Sequence, residues 1–164
     1  MATGIDQHAA KSYIKYSGGI IRFQIMPEEV RDSKSANYVN TDIVGRSHPI
    51  KGYSSSGPRT LSFSIKFYKF KEEDNPLQEA NRLRALLYPD YSSGIFPPPL
   101  CQVKIGQIKM QGVAISADIS YRYPWDESVS PMFVEVSLTF EETGRKPFSF
   151  QEVMNGSDMS YVEI

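Results

Sequence analysis

The stretch "LSFSIKFYKF", residues 61–70, places Leu61, Phe63, Ile65 and Phe67 at every second position, with Ser62, Ser64, Lys66 and Tyr68 between them. On a helix these four apolar groups would scatter around the axis. On a strand they stand on one face. Burying each contributes roughly 1.5–3 kcal/mol, so this strand anchors a core. The alternation returns in "MFVEVSLTF", with Val134, Val136, Leu138 and Phe140 facing in and Glu135, Ser137 and Thr139 facing out. In "CQVKIGQIKMQGVAISADISY", Gly106 and Gly112 break the run, and Val113, Ile115, Ala117, Ile119 and Tyr121 share a face. "IIRFQIMP" puts Ile21, Phe23 and Ile25 on one face of a half-buried strand that Pro27 ends.

Helical periodicity is convincing in one place, "NPLQEANRLRALLYP". Asn75 suits the N-cap, Pro76 the first helical position, and Gln78 completes a capping-box pattern. Leu77, Ala80, Leu83 and Leu87 line one stripe, and Pro89 ends the helix. Pro97, Pro98 and Pro99 then run as an extended connector into the next strand. The sum is six or seven antiparallel strands and one helix. Such a sheet must close on itself or pair to hide its apolar face. The expected fold is therefore mainly β, an antiparallel barrel or sandwich with one flanking α-helix.

Residues 1–19 read as a flexible polar arm, residues 20–144 as the β domain, and residues 145–164 as an acidic tail. The end of that tail, "QEVMNGSDMSYVEI", has no Lys or Arg, as befits a segment that is mobile or docked on a partner. Within the β domain, "YVNTDIVGRSHPIKGYSSSGPR" is punctuated by Gly45, Pro49, Gly52, Gly57 and Pro58, which makes it a long loop or an irregular hairpin. A connection this long in a compact domain usually carries a function.

Several function classes are disfavoured. Lys and Arg number 18 against 19 Asp and Glu, for a net charge of -1, so there is no electrostatic footprint for nucleic acid or an anionic membrane. No apolar run approaches the length of a signal peptide core or a membrane span. Cys101 is the only cysteine, which excludes an intrachain disulfide and favours folding in a cytosolic environment. His8 and His48 cannot supply a metal-ligand set. Cys101 has no evident His partner and reads as a buried thiol. No P-loop, GxGxxG or GxSxG motif occurs. Glu72-Glu73-Asp74 precede the helix, where negative charge suits its N-terminal dipole, and Asp126-Glu127 read as solvated loop carboxylates. The expectation is no enzyme and no cofactor.

Tyr121, Tyr123 and Trp125 are the sharper feature. Period-two spacing could stand three rings on one face as a sugar platform, which keeps a carbohydrate-binding β-sandwich as the alternative reading. Pro124 interrupts that spacing. The favoured reading is that the rings pack the corner before the last strand, with a protein contact next, since Tyr and Trp anchor interfaces. A small-molecule barrel would instead need an enclosed apolar cavity.

The order of these elements carries more than any one of them. "FQIMPEEV", the glycine-rich stretch, "GPRTLSFSIKFYKF", the helix, the proline run and "YRYPWDESVSPMFVEVSLTFEE" follow one another over residues 20–142. This order resembles the tube-initiator and hub-adaptor proteins, of the tail-tube fold, in myovirus and contractile injection system baseplates. Pro27, the Gly57-Arg59-Leu61-Phe63 pattern, Pro98 and Pro99, then Tyr121, Pro131 and Glu141 fit the motifs of those proteins. Ile105-Gly106 stands where they have tryptophan-glycine, Val129-Ser130 replaces the glycine before the corner proline, and the peptidoglycan-binding LysM segment of many of them has no room after Glu142.

The resemblance implies a structural subunit without cofactor or metal, linking the tail tube to the central hub or spike. It implies a ring, trimeric or hexameric, contacting tube, hub or spike proteins, with no specific nucleic-acid recognition and no membrane insertion. The place implied is the tail baseplate of a virion assembled in the host bacterial cytoplasm. On this reading Gly45, Arg46, His48, Tyr53, Tyr123 and Trp125 are the subunit-interface candidates.

Overall fold

The computed structural model describes residues 9–91, 96–144 and 147–157. At its centre strand β6 (Thr60–Tyr68) pairs antiparallel along its whole length with β9 (Pro131–Glu142). Leu61 lies opposite Phe140, Phe63 opposite Leu138, Ile65 opposite Val136 and Phe67 opposite Val134, and all eight are buried. The other face carries short hydroxyls that bond across the strands: Ser62 with Thr139 at 3.2 Å and Ser64 with Ser137 at 2.8 Å. The alternation predicted from the sequence therefore sets both the register and the two faces.

Around this pair the sheet is completed by β1 (Tyr13–Tyr16), β2 (Gly19–Arg22), β3 (Val30–Ser33), β7 (Cys101–Ile105) and β8 (Ile108–Trp125), in the order β2-β1-β7-β8-β9-β6-β3. A separate two-stranded sheet joins β4 (Ala36–Thr41) to β5 (Ile50–Ser56). The fold is mainly antiparallel β with a flanking helix, as expected, but the seven-stranded sheet does not close into a barrel: β2 and β3 are its edges. A side chain bridges part of that opening. Just beyond β2, the Gln24 amide donates to Tyr68 O at 2.9 Å and accepts from Tyr68 N at 2.6 Å, taking the place of a neighbouring strand.

Three local expectations are corrected. Residues 13–16, expected in a flexible arm, form β1 between β2 and β7, with Ile14 fully buried; residues 1–8 lie outside the described residues. The strand expected over residues 20–27 stops at Arg22, although Phe23 remains in the core. The shared face expected along β8 switches partway. The register shifts between Ala114 and Ser116, leaving Ile115 as the extra residue of a bulge. Met110 and Ala114 point inward before it, while Ala117 and Ile119 pack on the core after it, and Ile115 itself is about half exposed.

Helix α1 (Pro76–Ala85) covers the core. Asn75 Oδ1 accepts from Gln78 N at 3.1 Å, as the cap pattern predicts. Ala80, Leu83 and Leu86 are the buried stripe. Leu86 joins the stripe because the last turn tightens, Leu86 N bonding Leu83 O and Leu87 N bonding Arg84 O, each three residues back, while the expected Leu87 packs partly buried against the core. Gly112 sits where β8 passes close to β9; a Cβ there would lie 2.1 Å from Glu141 O, so no side chain fits. The tail contributes α2 (Phe150–Met154), closed by a reciprocal Ser149–Glu152 capping box and burying none of its residues.

Candidate subunit interface

The punctuated stretch after β3 is an irregular hairpin. Strands β4 and β5 pair from Ala36↔Ser56 to Thr41↔Ile50, with a bulge between Asn37 and Tyr38. Every residue of both strands is exposed. Among the described residues, four contacts at its root hold this arm to the core. Gly57 N donates to Ser35 O at 2.8 Å. Arg59 Nε donates to Asp32 Oδ1 at 2.8 Å, with Arg59 only 5% exposed. Glu142 N donates to Arg59 O at 2.8 Å, and Lys34 lies 3.6 Å from the Glu142 carboxylate. A buried guanidinium is costly unless paired, so Asp32 both satisfies Arg59 and ties the end of β3 to the start of β6.

Four of the six interface candidates ride on this arm. Tyr53 stands directly opposite Tyr38, the rings meeting edge to face at 5.9 Å, and its hydroxyl lies 2.8 Å from Ser56 Oγ. Gly45 makes the turn at the tip with φ of 88°, a conformation that favours glycine. Arg46 N bonds back to Ile43 O at 3.1 Å, and His48 Nδ1 lies 3.1 Å from Ser47 Oγ. Val44, at the tip, is fully exposed. A lone two-stranded hairpin is marginal in water, and this one offers apolar and aromatic side chains to solvent on both faces.

Tyr123 and Trp125 belong to a second projection, the β8–β9 turn. Asp126 builds it. Its Oδ1 accepts from Ser128 N, Ser128 Oγ and Ser130 N at 2.8–3.0 Å, and its Oδ2 accepts from Lys69 Nζ at 2.7 Å. The hydrogen bond from Lys69, then those from Ser130 and Ser128, hold its carboxyl well below the usual carboxylate range. This corrects the reading of Asp126 as a merely solvated carboxylate. Tyr123 is 86% exposed and Trp125 46%, and the register is irregular between Arg122 and Trp125. The chain therefore does not bury these rings in its own corner, and no ring–ring contact joins Tyr121, Tyr123 and Trp125 among the described residues. Near this turn a stack forms that is not visible in the sequence: Tyr68 lies over Phe133 at 4.5 Å, flanked by Phe70 at 5.7 Å.

Among the described residues no three His, Cys, Asp or Glu side chains converge to hold a metal. Cys101 is buried, its S–H directed at Pro99 O at 3.5 Å, and burial pushes its thiol up to about 12. A surface cleft of about 450 Å³ opens between β2 and the start of α1, over Phe23, Phe67 and Pro76. Its Arg82 is already paired with Glu79 at 3.0 Å. No described helix is long and apolar enough to cross a membrane.

A family model of contractile injection system tube proteins matches residues 3–149. The chain belongs to this family. It is thus a tube-type structural protein, and the resemblance carried by Pro27, Gly57, Arg59, Pro131 and Glu141 has its counterpart in the fold. The Gly57-Arg59 pair fixes the root of the arm, while Leu61 and Phe63 of the same motif begin the core. No curated protein matches the sequence. Solved structures similar to this tube protein include a chain from the tail of an empty gene transfer agent particle refined with C6 symmetry, at 16% identity, TM-score 0.44, 88% of this chain and 99% of that one. A chain from the virion of the native gene transfer agent particle compares at 17% identity, TM-score 0.44 and the same coverages.

Proposed function

We propose that this tube protein is the initiator or adaptor ring of a phage-tail or contractile injection system baseplate, joining the tail tube to the central hub or spike. The observation that carries this reading is the β4–β5 arm, a fully exposed hairpin clamped at its root and displaying Tyr38, Val44 and Tyr53 to solvent. Such a surface is suited to burial against another subunit. Among the described residues β2 and β3 are the edges of the sheet, which favours the same conclusion, since strand edges are templates for a neighbouring chain. A closed ring of copies, trimeric or hexameric, uses head-to-tail contacts of this kind. The role is structural, and its place is the virion, after assembly in the host bacterial cytoplasm.

Quantitative mass spectrometry of purified particles, with light scattering on the isolated protein, tests the proposal. One ring of copies per particle, independent of tail length, is expected. Copy number that grows with tail length would make it the repeating tube subunit instead. A strict monomer absent from particles would remove the reading.

A further inference from the structure

Helix α2 begins where the match to the family ends: residues 3–149 are matched, and α2 spans Phe150–Met154. The shared fold therefore does not account for it. A helix of five residues is not stable on its own in water, yet this one is closed at both ends by its own atoms. Ser149 and Glu152 cap its start reciprocally. At its end Asn155 N bonds Gln151 O at 3.0 Å, and Gly156, with φ of 72°, donates its N–H to Val153 O at 2.9 Å. The turn so closed puts Phe150, Val153 and Met154, spaced i, i+3 and i+4, on one face. Phe150 is 76% exposed and Met154 70%. The caps shape the helix, and among the described residues its apolar face stays open to solvent.

Charge narrows what can cover that face. From Pro147 to Ile164 the sequence holds Glu152, Asp158 and Glu163 and no Lys or Arg. Three depressions in the surface of this chain carry an excess of the same sign. The cleft between β2 and α1 sets Glu73, Asp74 and Glu79 against Arg22 and Arg82. The hollow between the start of α1 and the β8–β9 turn sets Glu72, Glu73, Asp74 and Asp126 against Lys69. The hollow across β6 and β9 sets Glu28, Glu29 and Glu135 against Arg31 and Lys66. A second copy of this chain thus offers like charge to the segment, which disfavours it as the partner. An anionic lipid surface is disfavoured for the same reason.

We propose that α2 is a docking helix for a different protein of the same particle, and that Phe150, Val153 and Met154 seat in an apolar groove rimmed by Lys and Arg. An amphipathic helix laid in a groove is held by anchors at this spacing. A turn already formed by its caps lowers the ordering cost of binding, and the acidic residues around it select the basic rim. The inference rests on the tail-particle reading above and adds to it a contact outside the β domain, made with a second kind of protein.

The test uses the full chain with the photoreactive p-benzoylphenylalanine in place of Phe150, assembled into particles, irradiated, and its adducts mapped by mass spectrometry. The expected result is an adduct to a different tail protein, at a site flanked by Lys or Arg. Asp158→Asn combined with Glu163→Gln should lower its yield several-fold, and Met154→Asp should nearly abolish it. Because α2 buries none of its residues, neither change should move the urea unfolding midpoint. An adduct to another copy of this chain would overturn the inference, as would an adduct site without Lys or Arg, or a yield that these substitutions leave unchanged. A midpoint lowered by Met154→Asp would place α2 on the body of its own chain and overturn it too. Particles that contain the chain but give no adduct would overturn it while leaving the proposed function standing. Absence of the unmodified chain from particles would overturn both.

Discussion

Replacing Asp32 by alanine removes the carboxylate that faces Arg59 and tests whether this pair holds the arm to the core. The Arg59 side chain is 6% exposed and that of Asp32 34%. Breaking a fully buried ion pair costs about 3–5 kcal/mol, because the remaining charge stays desolvated. Water already reaches Asp32 and can partly replace it, which lowers the expected cost to about 2–3 kcal/mol. With a urea m-value of about 2 kcal/mol per M, the unfolding midpoint should fall by about 1–1.5 M. Asp42→Ala at the exposed arm tip is the matched control and should stay within about 0.5 kcal/mol of the parent. A double-mutant cycle with Arg59→Met should return a coupling of at least about 1 kcal/mol. A midpoint for Asp32→Ala equal to that of Asp42→Ala would refute the claim that the pair clamps the arm.

Other consequences are as direct. Gly112→Ala forces a methyl against Glu141 O and should cost about 1–3 kcal/mol by the same urea assay. The depressed Asp126 carboxyl contributes stability that is fully present above its ordinary value near 3.9 and is lost only as pH falls through its lower folded value. Fluorescence of Trp125, the sole tryptophan, should therefore hold constant from neutral pH to about pH 4 and change only in stronger acid, whereas Asp126→Asn should perturb it at neutral pH. Ser149→Ala breaks the α2 capping box and should cost that helix about 1 kcal/mol. Because α2 buries nothing, the global midpoint should not move, while amide exchange within residues 150–154 accelerates.

The readable part of the fold follows one-sided burial. The alternation in β6 and β9 is strict, and the structure buries every residue it marks. The bulge in β8 is different: Val113, Ile115 and Ile119 are all apolar, so the sequence alone does not reveal that one extra residue inverts the faces between them. The arm reads from sequence as a long loop or an irregular hairpin and no more finely, because both of its faces meet solvent, which removes the periodicity that would separate the two. Strand β1 was hidden by its length of four residues and by Ser17-Gly18-Gly19 beside it. For α2 the sequence carries one signal, the Ser149…Glu152 capping pair, with no buried stripe to reinforce it. The Asp32–Arg59 clamp joins residues 27 positions apart and needed the β3–β6 register to be seen. The interface candidates Gly45, Arg46, His48 and Tyr53 share one long connection in the sequence, and the structure brings them together on one projection.

The arm leaves and re-enters the sheet at neighbouring points, between Ser35 and Gly57, and no side chain beyond that junction takes part in the core. Its length and chemistry can consequently drift without disturbing how the rest of the chain folds. A single scaffold of this kind can be fitted with different grips, each matched to a different neighbour, provided the junction itself is kept.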